Sequence, residues 1–233
     1  MTKPDFHAFE VLIGVTFRNP KLLEQSFTHR SYLNENARFG VEHNERLEFL
    51  GDAVLELVAT DYLFHGYPDK TEGDLTTYRA ALVNTVTLAQ TAADIGMNDY
   101  LLLSRGEAKD SGRARHVILA NTFESLIGAL YLDQGFEAAG GFIKKYLTPR
   151  AEVVIAERRS QDAKSYFQEK AQAVSDMTPR YELMRETGPD HDKIFTVGLY
   201  IGKELVATGS GHSKQEAEQV AARDGLKRRG WTV

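Results

Sequence analysis

The sequence predicts an all-α domain followed by a smaller α+β domain whose elements run in the order α-β-β-β-α. In the first part of the chain, apolar residues recur every three or four positions, which is typical of helices. In the last part, segments that alternate apolar and polar residues stand between two helical segments. The chain has 233 residues, enough for two modest domains. We therefore predict domains at 1–158 and 162–233, joined by a polar linker at 159–161.

Four segments define the first domain, and each has helical periodicity: LLEQSFTHRSYL, NERLEFLGDAVLELVATDYLF, LTTYRAALVNTVTLAQTAADI and ILANTFESLIGALYL. Glycine and proline cluster between these segments, at 66–68 and around 106–112. Thr71, followed by Glu72 and Asp74, is typical of a capped helix start.

The second domain begins with a helical segment, AKSYFQEKAQAV. Strand-like alternation follows in RYELMRETG and in KIFTVGLYIGKELVATGSG, with turns at Gly188-Pro189 and at Gly202. The segment SKQEAEQVAARDGLKRRG is helical again. A three-stranded antiparallel sheet with both helices on one face would bury all the apolar side chains.

Composition narrows the class of protein. Apolar residues make up 42% and charged residues 26%, values ordinary for a soluble globular protein. The sequence has neither the roughly 20 consecutive apolar residues of a membrane helix nor a secretory signal pattern at its start. It has no cysteine, which excludes disulfides and thiolate sites and fits a reducing compartment. We expect a cytoplasmic protein that does not contact a membrane.

Charge is distributed unevenly along the chain. Residues 162–233 have 11 basic and 11 acidic side chains, so the whole net charge of −5 lies in the first 161 residues. A basic surface is the usual sign of a nucleic-acid binder, and this overall charge alone argues against one. An acidic first half that handles nucleic acid would need metal ions to neutralise it.

The helix predicted from His43 carries three acids on one side. At roughly 100° per residue, Glu45, Glu48 and Asp52 fall within about 60° of one another. Phe49 and Leu55 flank them, so this side of the helix is not simply solvated. Grouped acids in such a setting repel one another and are costly to desolvate, and a divalent cation offsets that cost.

Periodicity leaves other interpretations of this helix open. The acids could form a solvated face that pairs with Arg46, and Glu56, one turn after Asp52, fits the same geometry. In ILANTFESLIGALYLD, Asn121 and Glu124 lie opposite the apolar face. Oxygen ligands from two crossing helices suit Mg²⁺, although Glu124 by spacing alone could equally be a surface glutamate.

NERLEFLGDAVL resembles the signature of the ribonuclease III family. The similarity extends to FTHRSYLNEN, TEGDLTTYRAALV, SRGEAKDSGRAR and ILANTFESLIGALYLDQG, and the second half resembles a double-stranded-RNA-binding domain. The resemblance implies a helical endonuclease domain that forms a homodimer and cleaves double-stranded RNA lying between two active centres. It further implies products with 5′-phosphates and short 3′ overhangs.

The resemblance assigns roles to the acids. It makes Glu48 and Glu124 ligands of Mg²⁺, for which Mn²⁺ would substitute. It makes Asp52 an essential carboxylate at the metal site that positions water, so Asp52 and Glu124 are the expected catalytic residues. The family usually has aspartate where this chain has Asn121, which keeps a carbonyl oxygen for the metal and lacks the charge.

Other residues of the first domain receive roles from the same resemblance. It implies that Glu45 and Glu72 help to hold RNA near the cut. It also implies that Phe49 packs across the dimer interface, although ordinary core packing is an alternative for this side chain.

In the second domain, the resemblance places RNA contacts at three points, because double-stranded RNA is recognised through minor grooves and phosphates. The residues concerned are Gln168, Glu169 and Gln172 on the first helix, Pro189 and His191 in the turn, and Ser213 and Lys214 at the start of the last helix. The family often has a second lysine where this chain has Gln215. The basic segment 227–229 either compensates for this missing lysine or is only a charged, solvent-exposed end of the helix.

The leading hypothesis is an endoribonuclease that processes ribosomal and messenger RNA precursors. One alternative is a catalytically weak or inactive binder of double-stranded RNA, because of Asn121. Another is a metal-dependent phosphohydrolase for small nucleotides, which the RNA-binding half disfavours.

Overall fold

The computed structural model describes residues 4–109, 112–161, 163–175, 177–189 and 192–231. Contacts divide the chain into two compact units, Met1–Val154 and Ile155–Val233. The predicted linker at 159–161 is helical in the structure, and the predicted domain limits remain predictions. Within the described part, no helix is long and apolar enough to cross a membrane.

The first unit is built from α-helices, as the sequence predicts. They are α1 (Phe6–Ile13), α2 (Pro20–Ser26), α3 (Arg30–Glu35), α4 (Glu45–Gly66), α5 (Glu72–Leu82), α6 (Thr85–Asp94), α7 (Arg113–Gln134) and α8 (Phe136–Tyr146). Short 3₁₀ turns lie at Met97–Tyr100, Glu107–Lys109 and Thr148–Arg150. A further helix, α9 (Ala151–Gln161), runs across the division between the units.

The long helices α4 and α7 form the centre of this unit. α7 packs against α2, α4, α6 and α8, and its Phe123 and Leu126 are fully buried. On α4 the buried side includes Leu55, whereas Leu57 is 57% exposed. Helical periodicity predicts Leu55 beside the acids and also predicts Leu57 on the opposite, apolar face; both predictions are wrong about which side chain is buried. The direction from which α7 approaches decides the buried side of a helix that is apolar nearly all round.

Side-chain caps set several helix ends. Thr71 and Asp74 form a reciprocal capping box at the start of α5, which confirms the predicted helix start. The periodic segment that continues from α5 is not one helix. Asn84 accepts a hydrogen bond from the backbone N–H of Thr87 at 2.9 Å and begins α6.

The second unit contains α10 (Ala163–Ser175), β1 (Arg180–Thr187), β2 (Ile194–Ile201), β3 (Glu204–Gly211) and α11 (Lys214–Arg229). The strands form an antiparallel sheet in the order β1-β2-β3, with Leu199 paired to Tyr181 on one side and to Ala207 on the other. Phe167 of α10, Leu199 of β2 and Leu226 of α11 share one buried core. Both helices therefore cover the same face of the sheet, and the predicted α-β-β-β-α order is confirmed.

Candidate active site and RNA-binding surface

Helices α4 and α7 touch through their backbones at two glycines. A Cβ atom on Gly51 would lie 1.8 Å from the carbonyl oxygen of Glu124, and one on Gly128 would lie 2.2 Å from that of Leu47. Neither distance leaves room for a side chain. The pair of glycines therefore lets the acid-bearing segments of the two helices approach more closely than ordinary packing allows.

Polar contacts fix the start of α4 against its neighbours. The Ser125 hydroxyl donates to the carbonyl oxygen of Asn44 at 3.2 Å, and the Asn44 amide donates to the carbonyl oxygen of Ser26 at 3.2 Å. Asn44 is buried, at 3% exposure. Because buried polar groups are costly to leave unpaired, these contacts hold the first turn of α4 in place.

Glu124 lies among carboxylates of the facing helix. Burial, together with the negative charges of Asp52, Glu48 and Glu56, raises the pKa of Glu124 to about 8. The structure thus brings together three of the acids predicted for the metal site, and it adds Glu56, which helical geometry alone could not exclude.

Asn121 lies beside Glu48. Burial and the charge of Glu45 raise the pKa of the Glu48 carboxyl, and a hydrogen bond from the Asn121 side chain opposes that rise. The amide therefore stabilises the charged form of Glu48. An aspartate at this position would instead add a repelling charge.

The residues present fit a divalent cation by their chemistry. The carboxylates and the amide supply the hard oxygen donors that Mg²⁺ prefers. Burial and the charges of Asp52, Glu48 and Glu56 raise the pKa of Glu124, so a cation placed there would stabilise its ionised form. Among the described residues, no three His, Asp or Glu side chains already stand in an arrangement that holds a metal ion.

Glu45 and Glu72 occupy different places relative to these acids. Glu45 adjoins Glu48, and it lies 3.4 Å from the guanidinium of Arg30. Glu72, at the start of α5, accepts a hydrogen bond from Thr76 at 3.1 Å and lines a groove of about 420 Å³ beside the second half of α4. The structure therefore brings Glu45 to the acidic site and places Glu72 beyond it along α4.

Sequence reasoning missed several residues that position the site. It did not single out Gly51 and Gly128, although a glycine within a helical apolar segment is a signal of close packing. It also missed Arg79, whose Nε lies 2.9 Å from a carboxylate oxygen of Glu56. No local pattern links two positions so far apart in the chain.

Phe49 is 83% exposed on α4. Core packing within one chain, the alternative considered from sequence, is therefore wrong for this side chain. A single exposed apolar side chain is common on protein surfaces, so the contact of Phe49 across a dimer interface stays a prediction.

The second unit displays most of the residues predicted to contact RNA. Gln168 and Gln172 are exposed one turn apart on α10, with Glu169 half-buried beside them, and Pro189 is exposed after β1. His191 lies outside the described residues. The side chains of Asp192, which follows this turn, and His212, which precedes α11, lie 3.3 Å apart. The turn after β1 and the start of α11 are therefore neighbours.

The start of α11 already satisfies some of its own backbone donors. The Ser213 hydroxyl accepts from the N–H of Glu216 at 3.1 Å, and the Glu216 carboxylate accepts from the N–H of His212 at 2.7 Å. Lys214 is exposed here. The helix end therefore offers one lysine and the N-terminal dipole to a phosphate, with an acid, Glu216, close by.

The basic segment at the other end of α11 is largely engaged within the unit. Arg228 lies 2.8 Å from Asp224, and Arg229 lies 2.6 Å from Glu204. At about 1.5 Å per residue, this segment is roughly 20 Å from Lys214. The basic segment therefore does not replace the second lysine that the family often has at the position of Gln215.

Comparison with known proteins agrees with this geometry. The family profile described as Ribonuclease-III-like matches residues 19–151, and the profile of the double-stranded RNA binding motif matches residues 163–228. The first match contains α4 and α7, and the second contains the sheet and the exposed face of α10.

Relatives match the chain over nearly its whole length. It is 45% identical to Ribonuclease 3 of Carboxydothermus hydrogenoformans, with 97% of each chain covered. It is 44% identical to Ribonuclease 3 of Bdellovibrio bacteriovorus, with 94% of each covered. The solved nuclease domain of ribonuclease III from Campylobacter jejuni is 36% identical, with a TM-score of 0.57 over 62% of this chain and 97% of that one. The chain therefore belongs to the ribonuclease III family of double-stranded-RNA endoribonucleases.

Proposed function

We propose that this double-stranded-RNA endoribonuclease cleaves with the help of Mg²⁺ held between α4 and α7. Glu48, Asn121 and Glu124 would be the metal ligands, with Asp52 beside them, and Mn²⁺ would substitute for Mg²⁺. One observation carries the proposal: burial and the facing carboxylates raise the pKa of Glu124 to about 8. A divalent cation is the natural counter-charge for such a group.

The protein residues would divide the work of phosphodiester hydrolysis. Bound at this site, the cation would supply charge neutralisation at the phosphate and lower the pKa of water. Asp52 is exposed at the surface of α4, where it can accept a hydrogen bond from the attacking water and orient it. Glu124, once deprotonated, holds its negative charge on α7 opposite Asp52 and Glu48.

RNA would be held by both units. We assign Glu45 and Glu72 to RNA contacts near the cut. Glu45 would make its contact at the acidic site, and Glu72 would make its contact beyond that site along α4. Gln168, Glu169 and Gln172 would contact one minor groove, and Pro189 and His191 the next. Ser213 and Lys214 would face the phosphates between these grooves, which is the usual pattern for a reader of double-stranded RNA.

The assembly and the products follow from the acidic site. One acidic site cuts one strand, so cleavage of both strands needs two copies, and the exposed Phe49 supports a homodimer. The Campylobacter structure concerns a region involved in dimer formation.

The proposed products have 5′-phosphates and short 3′ overhangs, and the proposed substrates are stems of ribosomal and messenger RNA precursors. The relatives are bacterial proteins, and in a bacterium these RNA substrates would place the enzyme in the cytoplasm.

The test is cleavage of a perfect RNA duplex by the full chain and by Glu124→Gln, with Mg²⁺ or with EDTA. Glu124→Gln should lose at least about a hundredfold in rate, because it removes a charged ligand of the cation that would stabilise the transition state at the phosphate. Its binding of the duplex in EDTA should be unchanged. Glu137→Gln, an exposed glutamate on α8, is the matched control. Equal cleavage by Glu124→Gln and Glu137→Gln would remove Glu124 from the site.

Asn121 motivates a second candidate function, a weak or inactive binder of double-stranded RNA. Its neutral side chain donates to Glu48 and adds no charge for a cation. If this candidate is correct, the native chain binds the duplex but does not cut it with excess Mg²⁺ or Mn²⁺, and Asn121→Asp gains cleavage. Efficient cutting by the native chain would rule the candidate out.

A further inference from the structure

Arg79, in the last turn of α5, ties that helix to two side chains one turn apart on α4. Its Nε lies 2.9 Å from a carboxylate oxygen of Glu56, and its Nη1 donates to the Thr60 hydroxyl at 2.9 Å. The Thr60 hydroxyl in turn donates to the carbonyl oxygen of Glu56 at 2.7 Å. The planar guanidinium is therefore fixed in orientation as well as in place.

Glu56 stands one turn beyond Asp52, on the same side of α4. Its charge acts on Glu124 together with those of Asp52 and Glu48. The side chains of Arg79 and Glu56 are 35% and 38% exposed, so water screens this pair less than it screens an ion pair in open solvent. The ion pair is therefore at the border of the acidic site and acts on it electrostatically.

We propose that Arg79 is a positioning residue that withholds the Glu56 carboxylate from the acidic site and so sets how much negative charge the site offers a cation. While Arg79 holds Glu56, this carboxylate is bound to the guanidinium on the side of α5, although its charge still acts on Glu124. The site would then offer a cation the carboxylates of Glu48, Asp52 and Glu124, while the fourth carboxylate, that of Glu56, stays paired on the side of α5.

This role goes beyond a structural connection between two helices. A connection alone would change stability when it is broken and would leave cation affinity unaltered. A charge-setting pair instead changes cation affinity in opposite directions, depending on which partner is removed. The inference rests on the proposed cation site, and the experiment separates the two.

The experiment measures Mn²⁺ binding to the full chain without RNA, from the electron paramagnetic resonance signal of free Mn²⁺. Arg79→Gln should bind Mn²⁺ about three- to tenfold more tightly, because it frees a carboxylate near the site. Glu56→Gln should bind more weakly by a similar factor, because it leaves an unpaired cation there. The double variant should return close to the native affinity.

Arg150→Gln is the matched control. It breaks the ion pair of Arg150 with Asp94 in the same unit and removes the same charge. Its Mn²⁺ affinity should stay within about twofold of native, since distant surface charges are screened. If Arg79→Gln behaves like this control, or lowers the unfolding temperature without tightening Mn²⁺ binding, the inference is overturned.

A different outcome would overturn the cation site itself. If the native chain binds no Mn²⁺, or if Glu124→Gln binds it as tightly as the native chain, the proposed site fails and the role of Arg79 fails with it. If Glu124→Gln loses Mn²⁺ and Arg79→Gln is unchanged, the site stands and only the role of Arg79 is lost.

Discussion

Glu124 binds its proton more tightly in the folded protein than in the unfolded chain. Burial, with the facing carboxylates, raises its pKa from 4.5 to about 8. For a carboxyl group shifted upward, the folded state retains the proton that the unfolded state releases. The contribution of Glu124 to stability is therefore complete below the unfolded pKa and is lost as the pH rises through about 8.

This shift predicts how Glu124→Gln changes stability without metal. In EDTA, the variant and the native chain should unfold at similar temperatures near pH 4, whereas above about pH 8 the variant should be the more stable, because glutamine carries no charge to bury. Calorimetry across this pH range checks the prediction, with Glu137→Gln as the control. Parallel pH profiles for all three proteins would contradict it.

Asn121 shows what a residue type leaves open when it is known only from sequence. As a departure from the family, it indicated a lost charge and a retained carbonyl oxygen for the metal. In the structure its amide also donates to Glu48, so it relieves repulsion between acids while no cation is bound. The missing charge of Asn121 therefore matters when a cation is bound, whereas the hydrogen bond from its amide matters when no cation is bound.

At the scale of elements, the crossing of α4 and α7 determines the site. Each helix carries part of the acidic group, and the contact at Gly51 and Gly128 brings the parts together. Helix pairs are usually separated by 8–10 Å, a distance set by the side chains between them. Here the backbones meet directly.

Gly51→Ala should destabilise the nuclease unit by roughly 3 kcal/mol or more, because the new Cβ overlaps backbone that cannot move alone. Chemical denaturation followed by circular dichroism measures this. Gly141→Ala is the control, since the Cβ added to this exposed glycine of α8 meets nothing within 4 Å. It should stabilise the protein by about 0.5–1 kcal/mol. A cost for Gly51→Ala as small as about 0.5 kcal/mol would contradict the close contact.

The start of α11 supports a prediction about RNA affinity. Gln215→Lys should tighten binding of double-stranded RNA and steepen the dependence of log affinity on log salt by about one unit, because each added phosphate contact releases about one counterion. Titrations at several salt concentrations measure the slope. Gln219→Lys, which adds the same charge to the half-buried middle of α11, is the control, and an equal slope change there would show a general charge effect.

Elements were predictable where a local pattern specifies them. The periodicity of α4 and α7, the cap at Thr71 and the alternation of β2 and β3 each depend on neighbouring residues. Which side of α4 is buried, the break at Asn84 and the pairing of Glu56 with Arg79 depend on partners distant in the chain. The family resemblance indicated Glu48, Asp52 and Glu124, and helical geometry left Glu56 open, but no local pattern predicted the glycine contact between α4 and α7.

At the scale of the whole molecule, charge separates the two units. Residues 1–154 have 15 basic and 21 acidic side chains, a net charge of −6, whereas residues 155–233 have 13 basic and 12 acidic side chains, a net charge of +1. We therefore expect affinity for RNA to come mainly from the second unit and from the cations that we propose the first unit binds. Cleavage should consequently be more sensitive to metal concentration than binding is.

Phe49→Ser should convert a dimer into a monomer, because it removes an apolar side chain that is 83% exposed on one chain and available to a second. Stability within each chain should change little, since the side chain has few contacts there. Sedimentation velocity measures the state of assembly. Phe64→Ser, also exposed on α4 at 64%, is the control, and a native chain that sediments as a monomer would contradict the proposed dimer.

The contact between Gly51 and Gly128 also bears on how this enzyme can change over evolution. Because no side chain lies between the backbones there, the separation of Asp52 from Glu124 does not depend on the volume of any residue in the core. Hydrophobic substitutions elsewhere can accumulate, and the core can repack, without altering that separation. Keeping these two glycines would thus permit wide variation around them, and a library of core variants that keeps both should retain active enzymes far more often than one that does not.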